Sequence, residues 1–222
     1  MDDIDKIIES LEKEIKILFS SDNSGHDIYH LRRTLNIALH LQEKEGGDRF
    51  IIAVASFLHD VHRIIQNETG KFCSPEESLP KVKEVLEKAK INDPRNERVL
   101  ECIRLHEEYN FSNSGKTAKD IEALIVQDAD NLDAMGAVGI ARVFAYGGAH
   151  DVPIWKPEAP LPEGNWDEGT FRSVSQIHHF YEKLLRLKDN MNTDTGKKIA
   201  LERHGFMENY LKEFFKEWKG EK

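Results

Sequence analysis

The sequence predicts an all-α fold, a bundle of helices that ends in a C-terminal helical extension. Apolar residues recur at the spacing of one helix face, cap residues stand before several of these runs, and polar or glycine-rich segments separate them. A chain of 222 residues is long enough to bury a substantial core. We therefore expect a single domain over residues 1–222.

Three helices are predicted in the N-terminal part. The first ends at the polar stretch SSDNSG and is predicted from seven apolar residues at helical spacing, which are Ile4, Ile7, Ile8, Leu11, Ile15, Leu18 and Phe19. The second runs from about Asp27 to Lys44, with Ser24 as its cap and GGD after its end. The third, at about 48–62, is apolar nearly all round, which predicts that it is buried.

Three more helices complete the predicted core, residues 24–146. Ser74 is a cap residue, and a proline and two glutamates follow it, which marks a helix start. Another helix opens at NDP, residues 92–94, and carries His106 near its end. The segment 117–146 is predicted as one long helix whose small residues allow a neighbour to approach closely.

Residues 147–169 break the helical pattern. They hold four of the seven prolines together with Trp155 and Trp166. A loop of this length in a compact domain is usually functional or disordered, and a lid over a site is one interpretation of it. Two predicted helices follow, at about 170–188 and 194–218, and they form the C-terminal extension.

Composition restricts the class of protein. No stretch reaches the roughly 18 apolar residues of a membrane span, and the N-terminus MDDIDKIIES is acidic where a secretory signal would be basic, so we expect a cytoplasmic protein with no membrane partner. The net charge of −9 argues against a nucleic-acid polymer as partner, because such binding depends on clustered Lys and Arg. Cys73 and Cys102 are too few for a disulfide framework or a thiolate metal site.

Polar groups in apolar surroundings indicate a site. The run FLHDVHR ends a buried helix with His59 and Asp60, and an unpaired buried polar group costs roughly 2–7 kcal/mol. His30, Asp128 and Asp130 stand in similar surroundings. Each has a structural explanation when taken alone, such as a hydrogen-bonded core histidine, a capped helix end or a solvated helix face. Together they favour a divalent cation, whose binding offsets the cost of burial.

The ordered motifs resemble the HD superfamily of metal-dependent phosphohydrolases over roughly residues 24–215. They are most similar to small stand-alone bacterial proteins related to nucleotide pyrophosphohydrolases. The matching segments are HDIYHLRRTLNIAL with its H-x-x-R spacing, FLHDV with the His-Asp doublet, HEEYNFS, IVQDADNLDAMGAVGIARVFA and HHFYEKLLRLKDNMNTDTGKKIALERHGFMENYL. The resemblance implies an HD-domain helical bundle and one metal ion held by His30, His59, Asp60 and an aspartate of the DAD segment.

The DAD segment offers two candidate ligands. Residues two apart on a helix point about 200° apart, so only one of them faces the metal if the helix is regular. The family pattern AD-x-L falls on residues 129–132, which favours Asp130. Asp128 is the alternative ligand. If Asp130 is the ligand, we expect Asp128 to cap a helix, to orient a ligand or to pair with a basic side chain.

Other polar residues near the motifs have more than one interpretation. Arg33 is a candidate to hold a substrate phosphate or to pair with Asp60. His26 is favoured for phosphate contact or support of a ligand over metal binding. His106 resembles a family position near the substrate and is our candidate proton donor. His62 is a proton carrier or is simply exposed, and exposure is favoured.

The resemblance implies hydrolysis of a phosphoester or phosphoanhydride bond. Four nitrogen and oxygen ligands leave two positions open on a six-coordinate Mn²⁺, Mg²⁺, Co²⁺, Fe²⁺ or Ni²⁺ for a water nucleophile and a phosphate oxygen. We expect a nucleotide or another small phosphorylated metabolite as substrate, with Asp60, His106 and Arg33 as catalytic residues. The candidate substrate contacts are Arg33, His26, Lys183, Lys188 and Lys197.

Two alternatives stay open. The chain is a nucleotide-binding sensor if the pocket keeps its metal without turnover. A di-iron oxygenase would need further ligands, for which His106 and Asp128 are the candidates, and the lack of a second HD-like cluster argues against it. The sequence is compatible with a monomer and with a homodimer.

Overall fold

A computed structural model describes residues 3–16, 18–19, 25–107, 120–162 and 173–221 of the chain. These residues form ten α-helices and one 3-10 helix and contain no β-strand, which confirms the predicted all-α fold. The α-helices are α1 (Ile4–Ile15), α2 (Ile28–Glu45), α3 (Arg49–Leu58), α4 (Val61–Thr69), α5 (Pro75–Lys88), α6 (Asn96–Leu105), α7 (Ile121–Asp133), α8 (Gly136–Ala149), α9 (Gln176–Glu182) and α10 (Asp194–Trp218). The 3-10 helix, Leu184–Asn190, lies between α9 and α10.

Aspartate side chains cap the N-terminal helices. Asp3 caps α1, and Asp27 caps α2 by accepting a hydrogen bond from the backbone N–H of His30 at 2.8 Å. The predicted cap Ser24 lies outside the described residues. Asp48 caps α3. Residues 50–58 of α3 are all buried, so the prediction of a buried helix is confirmed.

The predicted third helix is in fact two helices. α3 ends at Leu58 and α4 begins at Val61, because Asp60 has φ −89° and ψ 13° and so leaves the helical conformation. The turn between them contains His59 and Asp60, and both side chains are buried there. The prediction of one continuous helix over 48–62 was therefore wrong at the segment that carries the His-Asp doublet.

The helix start predicted at Ser74 is confirmed and belongs to α5. Ser74 and Glu77 form a reciprocal capping box, and Pro75 is the first residue of α5. α6 begins at Asn96, and His106 follows its last residue.

The predicted long helix 117–146 is also broken. Residues 117–119 lie outside the described part, and α7 and α8 are separated at Ala134 and Met135. Met135 is extended and buried, and Gly136 has a φ of +72°, a conformation that favours glycine. A Cβ atom at Gly136 would lie 3.0 Å from the Cγ of Arg203 on α10, so the break is also a point of close approach.

Two boundaries in the C-terminal part differ from the prediction. α8 continues to Ala149, so the connection begins at residue 150 instead of 147. Residues 163–169 of the proposed lid lie outside the described residues. The described part of the predicted helix 170–188 forms the short α9 and then the 3-10 helix. The last predicted helix, 194–218, is confirmed by α10.

Helices α2, α3 and α7 form the centre of the bundle. α2 packs against α3 and α7, and α3 also packs on α6 and α7. One hydrophobic cluster is built mainly from α1, α3, α5 and α6, and a second joins α7 and α8 to α9, the 3-10 helix and α10. The segments that carry the predicted site residues are therefore held between two packed cores.

Within the described part of the chain, no helix combines the length and the apolar character needed to cross a membrane.

Candidate metal centre

Four of the predicted ligands converge although they come from three separate parts of the chain. We call His30, His59, Asp60 and Asp130 the primary cluster. The Nε2 atoms of His30 and His59 are 3.1 Å apart. The carboxylate of Asp60 reaches within 3.2 Å of His30 Nε2, and Asp130 Oδ1 lies 3.5 Å from the Nε2 atoms of both histidines. Helix α2, the α3–α4 turn and α7 thus bring ligand atoms to one point.

Hydrogen bonds at Nδ1 orient both imidazoles of the primary cluster. His30 Nδ1 lies 2.7 Å from Asp133 Oδ2, and His59 Nδ1 lies 2.9 Å from the carbonyl oxygen of Ser56. Because a carboxylate and a carbonyl can only accept, each Nδ1 carries the donated proton and each Nε2 presents its lone pair. Two lone pairs that face each other at 3.1 Å require a proton or a cation between them. The donor set therefore fits a divalent cation.

Two further histidines border the primary cluster. His26 Nδ1 lies 2.8 Å from Asp60 Oδ2, and its side chain is partly exposed. The ring centroid of His106 lies 5.1 Å from that of His59. His106 Nδ1 donates to the carbonyl oxygen of Ile103 at 2.6 Å, which leaves its buried Nε2 without a hydrogen-bond partner among the described residues.

The close packing of acids and imidazoles shifts their pKa values. Burial disfavours the charged form of His59, but the carboxylates of Asp60 and Asp130 outweigh this effect and raise its pKa to about 9. Burial alone would raise the pKa of Asp60 and of Asp130, and the neighbouring histidines instead hold both well below the usual range. Burial lowers the pKa of His26 and of His106 to about 4. The site therefore combines carboxylates that stay ionised with two neutral imidazoles at its border.

Asp133 is a functional residue that sequence reasoning missed. It accepts from His30, and Arg33 Nε and Arg142 Nη1 donate to it at 2.8 and 2.9 Å. Burial would raise the pKa of Asp133, but these hydrogen bonds and charges keep it low. A signal was available, because Asp133 stands three residues after Asp130 and so shares a helix face with it. Arg33 pairs with Asp133 and not with Asp60, which corrects the pairing considered above.

Asp128 points to a different part of the molecule from the primary cluster. One of its oxygens accepts from the backbone and side chain of Asn192 at 2.8 Å, and the other accepts from the backbone and hydroxyl of Thr193 at 2.7 Å. Burial raises its pKa. Its carboxylate therefore joins α7 to the start of α10.

The three predicted lysines lie in different surroundings. The ammonium of Lys188 contacts Asp189 at 2.7 Å, and that of Lys197 lies 3.5 Å from Asp194. Among the described residues, neither ammonium contacts the primary cluster. Burial lowers the pKa of Lys183, which lies within the electrostatic reach of Glu107 and Asp130. Lys183 is therefore the one of the three that is associated with the site.

His62 and Glu107 extend the polar region beyond the primary cluster. His62 is fully buried, so the prediction that it is exposed was wrong. The turn at Asp60 starts a new helix there, and α4 directs His62 inward. Glu107 was not predicted; it accepts a hydrogen bond from Arg63 Nη2, and its Oε1 lies 3.4 Å from His62 Nε2. Burial would raise the pKa of Glu107, but Arg63 and His62 hold it far below the usual range.

The fold and the site correspond to a known class of protein. A family model for the HD domain matches residues 27–135, which include the whole primary cluster. The chain belongs to the HD domain family, so the resemblance found in the sequence is confirmed. It is 34% identical over 218 residues to YpgQ of Bacillus subtilis, an alignment that covers 97% of this chain and 95% of that protein.

Solved structures are similar over nearly the whole chain. An HD-superfamily hydrolase from Bacillus thuringiensis is 39% identical, with a TM-score of 0.68 and coverage of 97% of this chain and 96% of that one. The structure of Bacillus subtilis YpgQ in complex with ADP is 32% identical, with a TM-score of 0.66 and coverage of 93% and 97%. The chain is thus similar over nearly its whole length to a hydrolase of the HD superfamily.

Proposed function

We propose that this protein is a metal-dependent phosphohydrolase that cleaves a phosphoester or phosphoanhydride bond of a nucleotide or another small phosphorylated metabolite. The observation that carries the proposal is the convergence of two imidazole lone pairs and two ionised carboxylates in one buried place. Such a group is costly without a cation, because like charges and unpaired acceptors face each other at low dielectric.

The primary cluster would hold one divalent ion. Imidazole nitrogens and carboxylate oxygens suit Mn²⁺, Fe²⁺, Co²⁺ and Ni²⁺, and Mg²⁺ is accepted where oxygen ligands dominate. The ion would supply a water of lowered pKa and a positive charge that polarises the phosphorus centre. Asp133 keeps His30 in the tautomer that this binding needs, because it accepts the Nδ1 proton.

Cationic and neutral donors around the primary cluster favour an anionic substrate. Lys183 lies within the electrostatic reach of Glu107 and Asp130 and is our first candidate for phosphate contact. His26 donates to Asp60 from Nδ1, and its partly exposed ring is a second candidate. Arg33 donates to Asp133, which in turn accepts from His30. We therefore propose that Arg33 supports His30 through Asp133 and does not bind phosphate. The bound ADP of the YpgQ structure is consistent with a nucleotide as substrate.

The contacts of His106 argue against its predicted role as a proton donor. Its Nδ1 proton is donated to a carbonyl, and burial keeps its pKa near 4, so the imidazole is neutral at pH 7 and its Nε2 accepts. A proton donor would have to be protonated first, and burial opposes this. We therefore propose that His106 Nε2 acts as an acceptor or a ligand instead of the proton donor considered from the sequence.

The test is a hydrolysis assay on metal-stripped protein. The protein is reloaded with Mn²⁺, Mg²⁺, Co²⁺, Fe²⁺ or Ni²⁺ in turn and incubated with nucleoside mono-, di- and triphosphates, and released phosphate and pyrophosphate are measured. We expect turnover with at least one ion. We also expect Asp130→Asn to lower it by about 10²-fold or more, the range found when a single charge-stabilising group is removed.

His40 provides a matched control. It is exposed on α2, ten residues from His30, so His40→Gln removes a histidine without touching the cluster and should keep wild-type turnover. Failure to hydrolyse any phosphate compound with any ion would overturn the proposal. If the same nucleotides then raised the melting temperature without turnover, the protein would be a nucleotide-binding sensor.

A further inference from the structure

We propose that Arg142 of α8 binds a phosphate group of the substrate at the edge of the primary cluster. The proposal rests on the proposed function, because the phosphate belongs to the nucleotide or other small metabolite that the same site would take. Arg142 was not among the residues predicted from the sequence, where it stands in a helix of small and apolar residues.

The single charged residue of α8 is turned into the protein. Only 14% of the Arg142 side chain is exposed. The exposed positions of the same helix are small or apolar, and they are Ala137, Val138, Ala141, Ala145, Tyr146, Gly148 and Ala149. A surface helix normally carries its charges on the solvent face, and burial of a guanidinium is costly unless an anion compensates it. The reversed placement indicates that the charge of Arg142 serves an interior contact.

Two hydrogen bonds fix the Arg142 guanidinium and leave part of it unused. Its Nε donates to the carbonyl oxygen of Gly25 at 3.0 Å, and its Nη1 donates to Asp133 Oδ2 at 2.9 Å. Arginine has five N–H donors in one plane, and two anchors hold that plane still. Nη2 makes no hydrogen bond within the described part of the chain. A fixed donor group with free N–H bonds suits an oxygen anion.

The charges around Asp133 leave one guanidinium without its own acid. Arg33 binds both oxygens of Asp133, with Nε at 2.8 Å from Oδ1 and Nη2 at 3.0 Å from Oδ2. This fork already neutralises the carboxylate, and Arg142 contacts the same one. No other carboxylate among the described residues lies within 4.0 Å of Arg142. Two positive charges on one acid give a local excess, which an anionic ligand would balance.

The position of Arg142 connects it with both candidate phosphate contacts. His26 follows Gly25 directly, and its Nδ1 lies 2.8 Å from Asp60 Oδ2. The positive charge of Arg142 opposes protonation of His26 and of Lys183, so the guanidinium lies within electrostatic reach of both. A phosphate held by His26 or Lys183 would therefore also meet the charge of Arg142.

The experiment measures binding of a nucleotide that cannot be hydrolysed. Protein loaded with Mn²⁺ is titrated with adenosine 5′-(α,β-methylene)diphosphate by isothermal titration calorimetry at several KCl concentrations. We expect Arg142→Gln to raise the Kd by about 10–100-fold, the effect of a lost hydrogen bond between charged groups. The Kd of the variant should also depend less on KCl, because one of the screened charges is gone.

Two further variants make the result specific to Arg142. Arg142→Lys keeps the charge but not the fork, so its Kd should lie between those of the wild type and Arg142→Gln and keep most of the KCl dependence. Arg49 is an exposed arginine at the start of α3 that donates to Gln42 at 3.2 Å. Arg49→Gln removes the same charge and should bind the nucleotide as the wild type does.

The affinity for Mn²⁺ separates phosphate contact from mere support of the fold. Arg33 and His30 still contact Asp133 in Arg142→Gln, so Mn²⁺ should bind as in the wild type. An equal loss of Mn²⁺ affinity, a wild-type Kd for the nucleotide in a variant that circular dichroism shows to be folded, or no binding by the wild type would overturn the proposal. Binding that needs Arg142 without any hydrolysis would keep this contact and overturn the proposed function. Hydrolysis with binding that does not need Arg142 would do the reverse.

Discussion

Asp133 has a larger role than its position in the motif suggests. It is nearly fully buried and is contacted by three positive or proton-donating groups, namely His30, Arg33 and Arg142. Arg142 also donates to the carbonyl oxygen of Gly25 at 3.0 Å, so it connects Asp133 to the segment before α2. A single carboxylate thus fixes the tautomer of His30, a proposed metal ligand, and the local geometry of three helices.

Replacing Asp133 tests this positioning role. In Asp133→Asn the side chain keeps its shape but loses its charge and one acceptor oxygen, so His30 and the two arginines can no longer all be satisfied. We expect the affinity for Mn²⁺ to fall by about 10–100-fold, the usual effect of a lost partner behind a ligand. Isothermal titration calorimetry measures the affinity.

The variant Asp194→Asn is the matched control for the experiment on Asp133. It is an exposed aspartate at the start of α10 whose carboxylate lies 3.5 Å from Lys197, so Asp194→Asn should bind Mn²⁺ as the wild type does. Wild-type affinity in Asp133→Asn would mean that the arginines and His30 are held by other contacts.

At the level of the elements, one of the two aspartates of α7 lies in the proposed metal site and the other joins two helices. Asp128 accepts four hydrogen bonds from the two residues that precede α10, and Asp130 faces the histidines. The contact at α10 is close, because a Cβ atom at Gly196 would lie 2.6 Å from Asp128 Oδ2. Two aspartates that lie two positions apart on one helix therefore have different roles.

A comparison of the variants Asp128→Asn and Asp130→Asn tests whether the two aspartates have these different roles. An asparagine at 128 keeps one acceptor oxygen and places an amide donor against the donors of Thr193, so we expect a loss of about 2–4 kcal/mol and a fall in melting temperature of about 5–15 °C. Mn²⁺ content should stay that of the wild type. Asp130→Asn should lose Mn²⁺. In the metal-free state its melting temperature should be closer to that of the wild type than the melting temperature of Asp128→Asn is. The opposite pattern would make Asp128 the ligand.

The limits of sequence reasoning are clearest at the helix breaks. The apolar spacing and the caps predicted most helices, including α5 with its capping box and α10. The breaks at Asp60 and Met135 were missed, because helical periodicity continues through both and the turns depend on tertiary burial. The same reason explains the error at His62, whose direction is set by the turn before it.

The site was only partly accessible to sequence reasoning. The His-Asp doublet and the DAD segment could be found because charged or titratable residues stand out in apolar runs. Asp133 is one of several acids in α7, and Glu107 follows the end of α6, so neither stands out in the sequence. Only the folded chain shows that Asp133 supports His30 and that Glu107 faces His62. Distances between elements that lie about 100 residues apart are not encoded in local spacing.

At the scale of the whole molecule, the protein keeps a polar centre between two hydrophobic cores. The primary cluster combines acids and imidazoles from α2, the α3–α4 turn and α7, which are the helices that pack most closely in the bundle. In the metal-free chain the raised pKa of His59 means that a proton partly takes the place of a cation. Because these helices form the centre, occupancy of the site should affect the stability of the entire fold.

Metal binding is therefore expected to stabilise the native state strongly. An ion present at 100 times its dissociation constant adds about 2.7 kcal/mol to the free energy of unfolding. For a chain of this size 1 kcal/mol corresponds to about 2–4 °C, so saturating Mn²⁺ should raise the melting temperature of metal-stripped protein by about 5–11 °C, measured by calorimetry or circular dichroism. Potassium chloride of equal ionic strength should not reproduce the rise, since it only screens charges. His59→Ala should melt at the same temperature with and without Mn²⁺, and an equal rise in that variant would mean that the ion stabilises the chain from elsewhere.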